Sequence, residues 1–436
     1  MASISLPKIA VHPALTTRVD QKVGIAVSNL SPEQFVTLRA RTIDDSKIAF
    51  ESFAQYKADK NGEVLVSSQP SLGGSYTGVE PMGLFWSVKP VTRPDRDDLF
   101  RKRDVTTPLK VTLDVYGGHD QREFEERDKK ASVTLLRSYM GPGVTRCYME
   151  ENGFYGTLFL PPGNGPFPGV IDMWGRTGGI REDRAALLAS NGFASLTIAY
   201  SQFKDLPDKC DVLDLSYFER TIDWLMAHPR VASGGVSLVG LSMGGVLALA
   251  IASQIPHKIK AVVSISGPHV LIGCLLKCST LSIQGFPIDQ TVANNCSRYK
   301  RYVSTFKTIK EACKPGSPWI IPVEHITCPV LLVYGHDDKL NPEIEWMFGD
   351  LFQCMEQHGK GFLCTRLGFP GTGHFITPCY LPPGLRHYSK VYDEVWFMGG
   401  NTKDQARASE IYWNKSLQFL LKGFFDTQGG GQNFSL

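Results

Sequence analysis

The sequence has no dominant charge, no block of like charge and no low-complexity tract. Its 46 Lys and Arg face 43 Asp and Glu, a net charge of +3, so a nucleic-acid partner is not expected. The 42 Gly and 27 Pro follow no Gly-X-Y period and no internal repeat occurs, which excludes collagen-like and repeat architectures. Paired cysteine spacing is missing too. Of Cys147, Cys210, Cys274, Cys278, Cys296, Cys313, Cys328, Cys354, Cys364 and Cys379, all but the first lie beyond residue 200. That distribution reads as free, mostly buried thiols in a reducing compartment. Cys274 and Cys278 lie closest together, yet no adjacent His or Cys pair completes a zinc set, so no metal and no cofactor are expected. Residues 1–9 lack an apolar core of signal-peptide length. The last residues, Asn433 to Leu436, lack the small-basic-Leu ending of a peroxisomal address. The expected compartment is the cytoplasm.

Only one stretch approaches membrane-spanning length. Residues 231–256 are uncharged, and an apolar run of about 20 residues suffices to cross a bilayer. Gly240, Gly244 and Gly245 interrupt it, however, and it divides into a β-branched half and an Ala/Leu-rich half. A buried strand followed by a buried helix is the better reading, with no membrane span.

What is present is a chain of 436 residues with 42% hydrophobic and 20% charged content, long enough for two domains of globular composition. Up to about residue 145 the grammar is β. Val36, Leu38 and Ala40 alternate with Thr37 and Arg39, and Leu109, Val111, Leu113 and Val115 alternate with Lys110, Thr112 and Asp114. A period of two marks strands with one wet face, as in a sandwich. Beyond residue 150 short apolar runs alternate with helical patterns. The runs are 167–174, 194–200, 236–241, 259–266, 329–334 and 364–369. Helical spacing covers 180–191, 215–226, the segment after 242, a stretch from about 343, and about 404–424, where Ala408, Ile411, Tyr412, Leu420, Leu421 and Phe424 form the apolar side. Strands apolar throughout, alternating with helices, predict a parallel sheet covered on both faces. Residues 269–320 break the rhythm and read as an insertion over the sheet's C-terminal edge, where such folds hold their sites. The expected domains are 1–145, an all-β sandwich, and 146–436, an α/β domain built on that sheet.

One pentapeptide carries chemistry. Gly240-Leu241-Ser242-Met243-Gly244 follows a β-branched run and precedes an Ala-rich helix. A strand–turn–helix of this kind projects a strained serine, and Gly240 and Gly244 remove the Cβ atoms that would collide where strand and helix meet. The helix dipole then favours negative charge beside Ser242. A serine hydroxyl needs a base, and the base an acid, in chain order Ser, acid, His. The acid is expected at Asp338, just past the run 330–334, with Asp337 as the alternative. The base is expected at His374 in the glycine-rich loop after 364–369, with His336 a distant second. Oxyanion donors are expected from the N–H of Met243 and from that of Trp174 or Gly175, in the loop after the run 167–174.

These residues, with others, resemble the family of acyl-CoA thioesterases and bile acid-CoA:amino acid N-acyltransferases. The likeness spans nearly the whole chain. It includes Ser31-Pro32-Glu33-Gln34, Leu72-Gly73-Gly74-Ser75, residues 79–84, 156–162, 166–170, 186–189 and 321–324, the loop at Gly335, and Gly371-Thr372-Gly373-His374. The resemblance implies a β-sandwich ahead of an α/β-hydrolase domain, a Ser/Cys–Asp–His triad carried onto Ser242, Asp338 and His374, and an acyl-CoA substrate. Within the family, serine implies hydrolysis and cysteine implies transfer to an amino acid. Ser242 therefore implies an acyl-CoA thioesterase, with N-acyltransferase and then carboxylesterase as alternatives. Met243 and Arg176 depart from the thioesterase pattern, which often has lysine after the serine. Arg176 is a candidate for a CoA phosphate. The family also makes the peroxisome an alternative compartment. A monomer is the default.

Overall fold

The computed structural model describes residues 6–92, 98–119, 124–150, 153–176, 178–278, 282–287, 310, 313–314, 316–389 and 394–425. The chain forms two compact units, Met1–Met140 with Thr377–Tyr388, and Gly141–Ile376 with Ser389–Leu436. The first unit thus ends a little before residue 145 and takes in a later segment. That segment has a reason to be there: Tyr380, Leu381 and Pro382 line a small cavity with Val19, Leu84 and Phe100. The Arg386 N–H also donates to Asp98 Oδ1 at 2.7 Å.

Among the described residues the regular elements of the first unit are β-strands, apart from one turn of α-helix at Gly83–Trp86 and a 3-10 turn at Glu126–Asp128. Lys8–His12, Gly24–Ser28 and Val64–Leu65 make a small antiparallel sheet. A larger sheet runs Thr16–Arg18, Lys129–Ser138, Leu109–Gly117, Phe35–Ile43, Ala49–Lys57 and Gly73–Gly74. Val36, Leu38 and Ala40 are buried, as are Val111, Leu113 and Val115. In Ala49–Lys57 every second side chain is buried. The period of two marks the buried face correctly, but Thr37 and Asp114, expected on the wet face, are buried as well.

The second unit centres on eight strands: β1 (Thr145–Met149), β2 (Tyr155–Leu160), β3 (Gly169–Met173), β4 (Ala194–Ala199), β5 (Val236–Leu241), β6 (Ile259–Ile265), β7 (Val330–Gly335) and β8 (Cys364–Phe369). Their order is β1-β2-β4-β3-β5-β6-β7-β8. Pairs from β4 onward are parallel, whereas β1 with β2 and β2 with β4 are antiparallel. The sheet is mixed, then, and not wholly parallel, and β3 is its third strand in chain order. The difference arises because Thr145–Met149 is mostly exposed on an edge, so it lacks the apolar run by which the inner strands are recognised. The opposite edge, β8, exposes Thr365 and Arg366 for the same reason. The strand order and crossovers are those of an α/β hydrolase.

Among the described residues four helices lie between the strands, α1 (Asp183–Ser190), α2 (Leu215–Ala227), α3 (Met243–Gln254) and α4 (Ile344–Gln357), and α5 (Thr402–Phe425) follows the last. Asp214 starts α2 by accepting the Ser216 N–H at 2.8 Å, which satisfies one of the free donors of the first turn. Helix α3 is buried from Met243 to Ser253. Each fully buried Leu or Ile there contributes roughly 1.5–3 kcal/mol, and no polar face is needed. The uncharged run at 231–256 is thus β5 plus α3, and no helix among the described residues is long and apolar enough to cross a membrane. In α5 the buried stripe is Ala408, Tyr412, Leu420 and Phe424, as expected, but Ile411 is exposed. The buried stripe advances in fours, 408, 412, 416, 420 and 424, so Ile411, three residues after Ala408, falls on its solvent side. Much of the expected insertion at 269–320, Cys296 included, lies outside the described residues. Within it Leu275–Lys277 pairs in parallel with Val212–Asp214, apart from the main sheet.

Candidate active site

Ser242 sits between β5 and α3 at φ 56°, ψ −120°. A positive φ is costly for a residue with a side chain, on the order of 1–3 kcal/mol, and persists only where the surroundings enforce it. They do so here. The Ser242 N–H donates to the Ile265 carbonyl at 2.7 Å, and the Ser242 carbonyl accepts from Gly245 at 2.9 Å and Val246 at 3.1 Å. A Cβ on Gly240 would stand 2.0 Å from the Gly244 carbonyl oxygen, and one on Gly244 would stand 2.4 Å from that of Met173. Both glycines are therefore required by close backbone approach, Gly244 against β3 rather than against β5. Ser242 is half-buried. Met243 is the first residue of α3, so its N–H has no partner within the helix.

Asp338 and His374 meet. His374 Nδ1 lies 2.7 Å from Asp338 Oδ2, both side chains being buried. The other carboxylate oxygen, Oδ1, accepts the N–H groups of Leu340 (2.9 Å) and Asn341 (2.7 Å). Asp337 is engaged elsewhere, with Gly400 N–H at 2.9 Å and the Lys339 ammonium. Burial alone would raise its carboxyl; the Lys339 and Gly400 bonds bring it below the usual carboxylate range. His336 stacks near Tyr334 and pairs with Glu345 of α4 at 3.1 Å, so it is turned to another partner. Ser242 Oγ forms no hydrogen bond with His374 or any other described residue. The two are linked through one strand end, since Ile265 holds the Ser242 N–H and the Ser266 hydroxyl donates to the His374 carbonyl at 2.8 Å.

The loop after β3 lies against the serine. A Cβ built on Gly175 would be 3.2 Å from Ser242 Cβ and 3.6 Å from its Oγ. Behind it, Asp172 and Arg184 form a fully buried pair at 2.6 Å, and Asp172 also accepts from Trp174 Nε1 at 3.2 Å. Burial pushes the Asp172 carboxyl up to about 6, against the pull of Arg184. The Trp174 ring is flanked by the guanidinium groups of Arg181 at 3.7 Å and Arg184 at 4.5 Å, an arrangement its π-face attracts. Arg176, the candidate for a phosphate, donates to the carbonyls of Ile272 and Gly273. Two of its five donors thus tie the loop to the 269–278 segment.

Three further side chains shape the site and were not singled out from the sequence. Ser266 is one. Gln405, on α5 and almost wholly buried, accepts the Gly373 N–H at 2.8 Å and donates to the Phe375 carbonyl at 2.9 Å, bracketing His374. Tyr200, at the end of β4, donates to the Trp174 carbonyl. For Gln405 a signal existed: an amide on the apolar side of an amphipathic helix needs buried partners. For Ser266 and Tyr200 no local pattern marks them out.

Comparison with known proteins agrees over nearly the full length. Residues 213–425 match the family model described as BAAT/acyl-CoA thioester hydrolase C terminal, and residues 20–151 the acyl-CoA thioester hydrolase/BAAT N-terminal region. Mouse acyl-coenzyme A thioesterase 5 is 36% identical over 423 residues, covering 96% of this chain and 97% of the relative. Mouse peroxisomal succinyl-coenzyme A thioesterase is 35% identical over 420 residues, 95% of this chain and 96% of the relative. Mouse acyl-coenzyme A amino acid N-acyltransferase 1 is 35% identical over 405 residues, 93% and 95% respectively.

Proposed function

Since the chain belongs to the acyl-CoA thioester hydrolase/BAAT family, we propose that it hydrolyses acyl-CoA thioesters to a free acid and CoA, with Ser242 as nucleophile. The observation that carries this reading is the buried Asp338–His374 pair, at 2.7 Å, whose histidine is tethered to the strand end that also holds the serine. His374 takes the Ser242 proton as the hydroxyl attacks the thioester carbonyl. Asp338 fixes the ring so that Nδ1 carries the proton and Nε2 is free to accept, and it stabilises the imidazolium that forms. The Met243 N–H and one from the Trp174–Gly175 loop stabilise the tetrahedral oxyanion. CoA leaves with a proton from His374, and water activated by the same ring releases the acid from the acyl-serine. The first unit, in this reading, is an immunoglobulin-like sandwich that carries no catalytic group.

Transfer to an amino acid is the second reading, because an N-acyltransferase is as similar to the chain as the thioesterases are. Ser242 supports hydrolysis over it. An acyl-serine is an oxygen ester, slower toward amines than the thioester a cysteine would form, and water resolves it. The test is product analysis from a panel of acyl-CoAs of graded length, with and without glycine or taurine. Free acid in both conditions is expected; an acyl-amide as main product whenever amine is present would replace hydrolysis by transfer. A peroxisomal name among the relatives makes cytosol and peroxisome the two compartments to separate by cell fractionation.

A further inference from the structure

The Trp174–Gly175 peptide is clamped along the edge that bears its oxygen. Tyr200, the residue after β4, is buried and donates its hydroxyl to the Trp174 carbonyl. The same oxygen faces α3 closely, since a Cβ on Gly244 would come within 2.8 Å of it. In a trans peptide the N–H points away from the preceding carbonyl, so fixing the Trp174 oxygen also fixes the direction of the Gly175 N–H. Gly175 in turn abuts the nucleophile, with the space for its absent Cβ ending 3.2 Å from Ser242 Cβ. The neighbouring carbonyl, that of Met173, is held separately by Arg184 Nη2 at 2.9 Å. Two consecutive peptides are thus locked by side chains from β4 and α1, and the second of them borders the serine.

We propose that Gly175 supplies the second N–H of the oxyanion hole and that Tyr200 is the positioning residue that aims it. This rests on Ser242 being the nucleophile. A donor directed before the reaction stabilises the oxyanion without reorganising, and losing one such donor costs about 10²–10³ in kcat. Removing the residue that aims it, while leaving the donor in place, costs part of that. The ground-state carbonyl of the thioester gains little from the same bond, so the effect falls on kcat and not on KM.

The test uses Tyr200→Phe, which deletes the hydroxyl and keeps the ring. Phe218→Leu serves as the packing control, because the Phe218 ring lies 5.8 Å from that of Tyr200. Each is measured with two CoA analogues. In one a trifluoromethyl ketone replaces the thioester, so that Ser242 Oγ adds to the carbonyl carbon and leaves an oxyanion; the other is a plain thioether. The expected result for Tyr200→Phe is a fall in kcat of about 10–100-fold, unchanged KM, and a matching loss of affinity for the ketone with none for the thioether. Phe218→Leu is expected to lower thermal stability with no change in the ratio of the two affinities. An unaltered kcat in Tyr200→Phe, or equal loss for both analogues, overturns the inference. Ser242→Ala, run alongside, separates the two levels: an active Ser242→Ala removes the nucleophile itself, whereas an inactive one with an unimpaired Tyr200→Phe removes only the Tyr200 role.

Discussion

The Ser266 hydroxyl donates to the His374 carbonyl at 2.8 Å, one residue beyond the Ile265 carbonyl that receives the Ser242 N–H. The end of β6 is therefore a common mount for the serine turn and the histidine loop. Ser266 is itself fully buried at φ 50°, with its N–H on the Val333 carbonyl at 2.8 Å. Ser266→Ala would leave the His374 carbonyl with only the longer bond from the Ile376 N–H at 3.3 Å, at a cost of about 0.5–1.5 kcal/mol. The expected outcome is a lower melting temperature together with a fall in kcat, measured by calorimetry and by release of free CoA.

Gln405 holds the other side of the same loop through Gly373 and Phe375. Gln405→Met keeps the volume and deletes both bonds, leaving an N–H and a carbonyl unpaired at roughly 1–3 kcal/mol each. Gln405→Glu keeps the acceptor for Gly373 and loses the donor to Phe375. Stability and kcat are expected to rank wild type, Glu, Met, and equal values for all three would remove Gln405 from the account.

The two adjacent aspartates separate by role. Asp338→Asn is expected to lower kcat by about 10³–10⁴-fold, because the ring of His374 loses the partner that sets its tautomer. Asp337→Asn loses only a partly exposed contact with Lys339, worth at most about 1 kcal/mol, and is expected to stay active. Steady-state kinetics on both variants decides between them.

Thiol reagents test the nucleophile from another direction. Burial pushes Cys274, Cys328 and Cys364 up to about 12, and Cys313 and Cys354 up to about 11. At pH 8 these groups are thiols, and the thiolate is the form that reacts. Cys147 is exposed. Brief iodoacetamide treatment is expected to alkylate Cys147 first among the described cysteines, as read by peptide mass spectrometry, and to leave hydrolysis intact. A fluorophosphonate, which attacks activated serines, is expected to abolish it.

The sequence exposes these features unevenly, for physical reasons. Inner strands such as Val236–Leu241 and Val330–Gly335 are legible because burial on both faces forces continuous apolar runs. The edge strand Thr145–Met149 is not, since exposure frees its composition, and the antiparallel start of the sheet was hidden with it. Ser242, Asp338 and His374 stand in turns whose glycines and chain order are set by local backbone demands. Their supports are set by tertiary contact alone: Tyr200 reaches the Trp174 carbonyl from the next strand, and Gln405 reaches the histidine loop from a helix about thirty residues on. Arg176 shows the reverse case, a cation conspicuous in the sequence whose two bonds to backbone carbonyls no local pattern announces.

Hydrolysis by this route passes through one covalent event. Mixing the protein with an acyl-CoA, quenching in acid within milliseconds and mapping the peptides by mass spectrometry looks for the acyl group directly. An acyl adduct on the peptide carrying Ser242, absent from Ser242→Ala along with turnover, is the predicted result. An adduct on another residue, or a Ser242→Ala variant that releases CoA at the wild-type rate, would contradict it.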